Sequence, residues 1–370
     1  MSKFDEFLNL KLILILSFIF ILITNNYFSY NQSLIFGARD GADYYLIANN
    51  FPNIPFDILQ NHKAWRFIIP ALIGLTAKII NIELYLLFRI FVFIFSIMAI
   101  VIFFNILTHL KINNFHIFFL TSFLIFNPYL FRYFLACPTM INDLIFVNAV
   151  QLLFLGILKK NRFFYYIGIL LSIFSRQNSI FILLSIIIVK FIFKKNSALK
   201  IKDVIISIVL FFLFFSLNTS FANFYSEYNN IYSFSERFAL FKLNYSFLVF
   251  LEYNMFVLII LLPLFGYLII EKKNFYLNKI NLEVFILISL VVFFTILVAY
   301  AGGPVITGKN IVRLINLAFP LIILIGALSI NFKRHSINSI RFYLFLLMFS
   351  AWSLHPTFSK VKIFSIFNFS

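Results

Sequence analysis

The sequence predicts an all-α protein, a polytopic transmembrane helix bundle of about 11 spans whose long first external loop carries interfacial helices. Three observations lead to this fold class. The 370-residue chain is 62% hydrophobic and 12% charged, whereas soluble domains are about half apolar and about a quarter charged. Apolar runs recur along the whole length, and short basic clusters separate them. We therefore expect a single integral-membrane domain over residues 1–370.

The net charge of the chain supports this interpretation. A formal charge of +17 at pH 7 would favour nucleic acid as the partner of a soluble protein, but here the Lys and Arg residues lie between apolar runs. We expect membrane lipids and no nucleic acid as partners. Cys137 is the only cysteine, which excludes an intramolecular disulfide and argues against a thiolate metal cluster.

The positions of the spans follow from length and hydropathy. Since about 20 apolar residues span a bilayer as a helix, we expect spans near residues 8–24, 84–107, 115–130, 144–158, 163–175, 179–193, 204–217, 246–270, 282–300, 311–330 and 342–354. With the N-terminus in the cytoplasm, every inner connection is basic. The basic residues of these connections are Lys111; Lys159, Lys160 and Arg162; Lys194, Lys195, Lys200 and Lys202; Lys272, Lys273 and Lys279; and Lys333, Arg334 and Arg341.

The segment FIIPALIGLTAKIINI, residues 67–82, decides the side of every later loop. It is short, begins near Pro70 and carries Lys78, so we expect an interfacial or re-entrant helix on the outer face. The external side then receives residues 25–83, 127–143, 176–178, 218–245 and 301–310 and the tail after Leu354. The first of these loops, residues 25–83, is the longest.

That first loop contains two carboxylates in the sequence GARDGADYYLIANN, residues 37–50. If residues 41–50 form a helix, Asp40 is its N-cap and Asp43 its third residue, on the same side as Tyr44 and Ile47. Capping and the helix dipole alone would explain the two carboxylates. Their place on the outer face also suits a general base acting on a substrate in the bilayer, and this position favours chemistry.

Three basic residues follow in QNHKAWRFIIPAL, residues 60–72. Arginine offers a planar fork of donors to a phosphate, and lysine offers a point charge. For Lys63 we favour extension toward lipid headgroups. His62 and Arg66 are the candidate substrate-binding residues.

Five stretches in this order resemble the GT-C superfamily of membrane glycosyltransferases over most of the chain: RDGADYYLIA, HKAWRFIIPAL, NPYLFRYFLACPTMIND, FSRQNSIFIL and GKNIVRLINLAFP. The resemblance implies transfer of a sugar from a polyprenyl-phosphate carrier to a lipid, glycan or protein acceptor. It places the active site on the outer face of a bacterial plasma (inner) membrane. It also implies that an Asp in the first external loop acts as base or metal-associated residue. Asp40, four residues before Tyr44, matches that Asp, and Asp43 is the second choice, while Gly41 stands where many relatives have another acidic residue.

The resemblance assigns roles to residues in later loops as well. Asp143 would help with a metal or the acceptor, or else cap the next helix. Arg176, in the tight turn SRQNS, would lie near the carrier phosphate, with headgroup contact as the alternative. Lys309 and Arg313 follow a glycine-rich turn at a helix start, which suits phosphate, although an ordinary flexible turn explains the same pattern. A divalent cation, Mg²⁺ or Mn²⁺, held by Asp40 or Asp143, is left open.

The expected reaction is an inverting displacement. Asp40 would deprotonate an acceptor hydroxyl while Arg176 and Arg313, with His62 or Arg66, stabilise the departing phosphate. One alternative is a carrier or flippase for lipid-linked sugars, in which the same arginines bind phosphate and no bond breaks. Another is a surface-glycan polymerase or ligase, which usually relies on a large late external loop. Here the largest external loop is the first, which disfavours that alternative.

Overall fold

The computed structural model describes residues 10–27, 41–54, 59, 61–127, 130–194, 199–225, 247–275, 279–301, 311–332 and 340–353. It is mostly helical. The α-helices, in chain order, are α1 (Leu10–Tyr27), α2 (Gly41–Asn50), α3 (Asn61–Ala64), α4 (Ile68–Ile80), α5 (Leu84–His109), α6 (Asn114–Phe126), α7 (Phe131–Ala136), α8 (Ile141–Leu158), α9 (Arg162–Ser175), α10 (Ser179–Phe193), α11 (Ile201–Tyr225), α12 (Phe247–Glu271), α13 (Lys279–Ala301), α14 (Ile311–Ser329) and α15 (Ile340–Ser353). A 3₁₀ turn over Pro138–Met140 leads into α8.

A helix lies at each position where the sequence predicts a span. Three helical stretches are long and apolar enough to cross a membrane, namely Leu84–His109, Pro138–Leu158 and Ile201–Tyr225. Shorter apolar helices accompany them, among them α4, α6, α9 and α10. The largest shifts between predicted and observed ends are at α6, which ends four residues early, and α11, which extends eight residues further to Tyr225.

Local sequence explains several helix ends. Asn113 and Asn161 begin α6 and α9, and each side-chain oxygen accepts a bond from backbone N–H groups of the first turn, as N-caps do. Asn81 ends α4 in the left-handed conformation, and its N–H bonds to the Ala77 carbonyl. These caps satisfy backbone groups that an isolated helix end leaves without partners.

The described residues divide into two compact units, each assembled from separate parts of the chain. The first unit comprises residues 1–27, 103–133 and 232–370. It contains α1, α6 and α12–α15, and a bond from Asn127 Nδ2 to Asn316 Oδ1 (2.7 Å) joins α6 to α14. The division does not test the prediction of a single integral-membrane domain, which stays a prediction.

The first unit also contains a small sheet that the sequence analysis did not predict. Strands β1 (Lys272–Phe275) and β2 (Ile330–Phe332) pair antiparallel, with Lys272 opposite Phe332 and Phe275 opposite Ile330. The prediction of an all-α protein is therefore right for the helices and misses this ribbon. Strands of three and four residues are too short to show the alternation of apolar and polar residues that identifies a strand.

The second unit comprises residues 28–102 and 134–231 and is built around α8. Every residue of α8 from Ile141 to Ile157 is buried. Helix α9 packs on α8 with backbone contact, because a Cβ at Gly168 would lie only 2.6 Å from the Leu153 nitrogen. Close approach through small residues is how helices associate where lipid gives no hydrophobic drive between them. Everything described below as the candidate site belongs to this unit.

Candidate functional site

Helix α2 positions the acidic motif. It runs over Gly41–Asn50, the range for which the sequence analysis considered a helix. Its buried face consists of Gly41, Tyr44, Ile47 and Ala48. Asp40, the leading candidate base, directly precedes this helix and lies outside the described residues.

Helix α2 is held against α4 at very short range. A Cβ on Gly74 would lie 1.9 Å from the carbonyl oxygen of Ala48, a distance that no side chain tolerates. Only glycine at this position allows α4 to support α2 so closely. The orientation of Asp43 therefore depends on a backbone contact one turn further along α2.

Asp43 forms a salt bridge with Lys63. The Lys63 Nζ lies 2.7 Å from the Asp43 Oδ2, and the side chains are 13% and 18% exposed. The headgroup contact that we favoured for Lys63 is therefore not what the structure shows, since its ammonium turns inward to a carboxylate. The site thus contains a partly exposed carboxylate with a cation beside it.

Arg66 is oriented by two neutral side chains. Its Nη1 donates to the Tyr44 hydroxyl at 2.8 Å, and its Nη2 and Nε donate to the Gln177 Oε1 at 3.0 and 3.3 Å. The residue is 6% exposed. Both partners in these bonds are neutral side chains, and the bonds fix the orientation of the guanidinium. A planar guanidinium held in this way suits recognition of a phosphate or carboxylate.

Besides α2, which contributes Tyr44, four parts of the chain meet around Arg66. Gln177 Nε2 donates to the His62 carbonyl at 3.0 Å, and Asn142 Nδ2 donates to the Arg66 carbonyl at 3.3 Å. Trp65 Nε1 donates to the Thr219 Oγ1 at 3.2 Å. The α3–α4 segment, the start of α8, the α9–α10 turn and the last turns of α11 are thereby joined at one end of the unit.

Aromatic stacking strengthens the contact with α11. The rings of Phe67 and Phe221 lie 3.5 Å apart between centroids and are nearly parallel, and Trp65 meets Phe215 edge to face at 5.2 Å. Such pairs add stabilisation beyond the area they bury. The segment between α3 and α4 is therefore fixed on both sides of Arg66.

Asp143 and Arg176 form a buried ion pair. Arg176 Nη1 donates to Asp143 Oδ1, and the two side chains are 4% and 0% exposed. Because α8 begins at Ile141, Asp143 is its third residue, whereas the sequence analysis placed Asp143 before the helix. A carboxylate in the first turn complements the helix dipole. Arg176 therefore has an anionic partner within the protein. The sequence analysis had considered contact with a phosphate or a lipid headgroup and did not predict this partner.

The remaining predicted residues are placed as follows. The His62 side chain is exposed, and its carbonyl accepts the bond from Gln177. Lys309 lies outside the described residues. Arg313 is in the first turn of α14, in the other unit, and its side chain is outside the described part. Within the described ranges, no group of three or more His, Cys, Asp or Glu residues is arranged to hold a metal.

The sequence analysis missed several polar partners at this site, namely Tyr44 and Gln177 on Arg66, Asn142 on its carbonyl and Lys63 on Asp43. One signal was available for two of them. Asn142 and Gln177 are polar residues next to charged ones, at the ends of strongly apolar segments, where a polar side chain tends to have a specific partner. Nothing in the sequence pairs Tyr44 with Arg66, because the two are joined only by the packing of α2.

Comparison with known proteins does not assign this arrangement to a family. No family model matches the chain. No curated protein and no solved structure is significantly similar to it either. The functional interpretation therefore depends on the geometry above and on the short motifs.

Proposed function

We propose that this chain is a multi-pass glycosyltransferase of GT-C type. It would move a sugar from a polyprenyl-phosphate carrier to a lipid, glycan or protein acceptor on the outer face of a bacterial plasma membrane. The observation that carries the proposal is that an acidic and a basic side chain lie together at one end of an apolar helical unit. A partly exposed carboxylate, Asp43 on α2, and an oriented guanidinium, Arg66 in the turn between α3 and α4, lie in the same cluster.

The proposed topology has about 11 spans, a cytoplasmic N-terminus and an outward-facing site. Contacts within each unit support it. Residues from four loops expected outside, 25–83, 127–143, 176–178 and 218–245, contact one another around Arg66. Two connections expected inside are joined by the bridge from Arg162 to Asp203, and two others by the pairing of β1 with β2. No contact among these joins a loop expected inside to one expected outside.

The proposed place of α4 at the membrane interface has support of its own. Leu72, Ile79 and Ile80 are 57%, 83% and 55% exposed. Large apolar side chains exposed on a short helix are typical of a helix that lies against the acyl boundary of a bilayer. Counting α4 as interfacial keeps every basic connection on the inner side.

In the proposed mechanism an acceptor hydroxyl attacks the anomeric carbon while the bond from that carbon to the phosphate oxygen breaks. The hydroxyl proton passes to a carboxylate, and the carrier leaves as a phosphate with one more negative charge. A single displacement of this kind inverts the anomeric centre. The base and the cation that stabilises the phosphate must therefore face the reacting carbon from opposite sides.

Asp40 is the first choice for the base by the family resemblance, and Asp43, in the first turn of α2, is the second. For the phosphate we favour Arg66, because its described hydrogen bonds fix the orientation of a planar guanidinium in the same cluster as Asp43. Arg176 serves in this arrangement as the partner of Asp143 and positions the α9–α10 turn. Gln177, the next residue, then reaches Arg66. His62, Lys309 and Arg313 stay predictions, as does a divalent cation.

The test uses purified protein and a panel of radiolabelled polyprenyl-phosphate sugars with crude membrane acceptors. Released polyprenyl phosphate is measured for the wild type, Asp40→Asn and Asp43→Asn, with Asp203→Asn as a matched control at the other end of the unit. We expect loss of general base catalysis to reduce release by about 100-fold or more in one of the first two variants. Asp203→Asn should keep wild-type release.

The same experiment distinguishes the carrier alternative. If no donor in the panel is consumed, yet labelled donor stays bound and Arg66→Ala abolishes that binding, the protein is a carrier. Wild-type release by both Asp40→Asn and Asp43→Asn would remove the proposed base. Chelation of divalent cations in the same assay tests the metal, because a metal-dependent enzyme loses activity and regains it with Mg²⁺ or Mn²⁺.

A further inference from the structure

A groove of about 610 Å³ lies between the end of α10 and the start of α11. Ligand pockets measure about 300–1,000 Å³. The residues that line the groove are spaced three and four positions apart along the chain on each side, so each helix contributes one face. They are Ile187, Lys190, Phe191 and Lys194 on one side and Ile201, Val204, Ile205 and Ile208 on the other.

The walls of this groove are apolar and open. Phe191, Ile201 and Ile205 are 77%, 67% and 54% exposed. Lys194, just after α10, and Ile201, the first residue of α11, stand at one end of the groove, and Ile187 and Ile208 stand at the other. The groove is therefore apolar along most of its length and basic at one end.

The basic end keeps its charge. Lys190 Nζ donates to the carbonyls of Lys194 and Leu199, both at 2.8 Å. Carbonyls position the ammonium without neutralising it, and an ammonium has three N–H donors, of which these bonds use two. Among the described residues, the lysine is thus held at the groove by two bonds that leave one of its three donors for a ligand.

The surrounding sequence adds positive charge to this end. Residues 190–202, KFIFKKNSALKIK, contain five lysines and no acidic residue. The next residue, Asp203, bonds to Arg162 Nε at 3.1 Å and accepts from the Tyr166 hydroxyl at 2.6 Å. That carboxylate is therefore already occupied by partners from α9.

We propose that the groove binds one anionic phospholipid from the cytoplasmic leaflet. An acyl chain lies along Phe191, Ile201 and Ile205, and the phosphate meets Lys190 and Lys194. Basic pockets between membrane helices on the cytoplasmic side are suited to anionic headgroups. The proposal rests on the membrane topology proposed above and is independent of glycosyl transfer, because the groove shares no residue with the candidate site.

The test is native mass spectrometry of the full chain with phosphatidylglycerol and phosphatidylcholine that carry identical acyl chains. Wild-type protein should bind phosphatidylglycerol more tightly. Lys194→Gln should weaken this binding about fivefold, as expected for one lysine near an anionic headgroup. Lys190→Gln/Lys194→Gln should weaken it further. The matched control, Lys159→Gln/Lys160→Gln, removes two exposed charges from a neighbouring connection expected on the same face and should bind as the wild type does.

An uncharged variant tests the apolar part of the groove. Ile205→Trp fills it, and should weaken binding of both lipids while leaving the lysines unchanged. It also keeps the proposal testable if loss of the Lys190 hydrogen bonds impairs folding. Equal affinity for the two lipids, or equal loss in the Lys159/Lys160 control, would overturn the proposal. Displacement of the lipid by inorganic phosphate at the same concentration would also overturn it, because the site would then recognise phosphate alone.

Discussion

The two ends of the unit built around α8 differ in how deeply their charged side chains are buried. At the site end, defined by Asp43, Lys63, Arg66, Asp143 and Arg176, ionic side chains lie inside the protein. At the basic end, defined by residues 159–162, 190–194 and 199–203, the Lys and Arg side chains are exposed or half-buried, with Arg162 53% exposed, and Asp203 is the one buried charge among these residues. Charges at a membrane surface follow topology, whereas charges buried in an apolar bundle are costly and usually serve a function. The contrast favours the site end as the place of the proposed function.

Each end contains an ion pair between α9 or its terminal turn and a neighbouring helix, which makes the two pairs comparable. Asp143 with Arg176 is almost fully buried, and Asp203 with Arg162 is exposed on the arginine side. Breaking a buried pair leaves an uncompensated charge in a medium of low dielectric constant, while an exposed pair competes with water. The same kind of bond should therefore contribute very differently at the two ends.

The largest effect is expected from Arg176→Ala. This change leaves the Asp143 carboxylate buried without the guanidinium, and should lower the free energy of unfolding by about 3–5 kcal/mol. Equilibrium denaturation in detergent, followed by a helical signal, measures it. The double variant Asp143→Leu/Arg176→Met provides the control, because replacing both charges with apolar groups of similar size is often neutral. A single variant as stable as the double one would show that the pair is not buried.

A smaller but more informative effect is expected from Gly74→Ala. The new methyl group would meet the Ala48 carbonyl, so α2 must shift away from α4, at about 1–3 kcal/mol for overpacking. Since α2 carries Asp43, donor turnover should fall as well. Thermal unfolding and the release assay are measured together.

The control for Gly74→Ala lies toward the other end of the unit. A Cβ at Gly156 would lie 2.4 Å from the Tyr165 nitrogen, so Gly156→Ala creates a similar backbone clash between α8 and α9. It should destabilise the protein to a comparable degree while the folded fraction keeps its turnover. Equal loss of turnover in both variants would mean that α2 has no special link to activity.

The comparison also shows what a sequence can and cannot predict here. Helix positions follow from apolar runs about one bilayer long, and a helix over residues 41–50 places Asp43 on the same side as Tyr44 and Ile47 by its spacing alone. These are local properties, so they were predictable. The pairing of Arg176 with Asp143 depends on α9 packing against α8 through Gly168, and the sequence does not encode that contact in any spacing.

Lys63 is a second residue whose partner could not be predicted from the sequence. An isolated lysine beside a membrane is expected to extend toward headgroups, but here a carboxylate on α2 lies within 2.7 Å. That proximity arises because α3 and α2 both contact neighbouring helices. At the basic end the sequence itself shows the clusters of Lys and Arg between apolar runs, whereas the partners of charged residues at the site end depend on precise packing.

The smallest effect is expected from Arg162→Gln. Its guanidinium is largely in solvent, and Asp203 keeps the hydrogen bond from the Tyr166 hydroxyl. The loss should therefore be at most about 1 kcal/mol, the upper value for exposed pairs, and high salt should reduce it further because exposed charges are screened. Asp203→Asn, which removes the carboxylate charge from both partners, is the companion variant for the denaturation experiment. A loss as large as that of Arg176→Ala would show that burial does not distinguish the two ends, and the assignment of the site by buried charge would no longer hold.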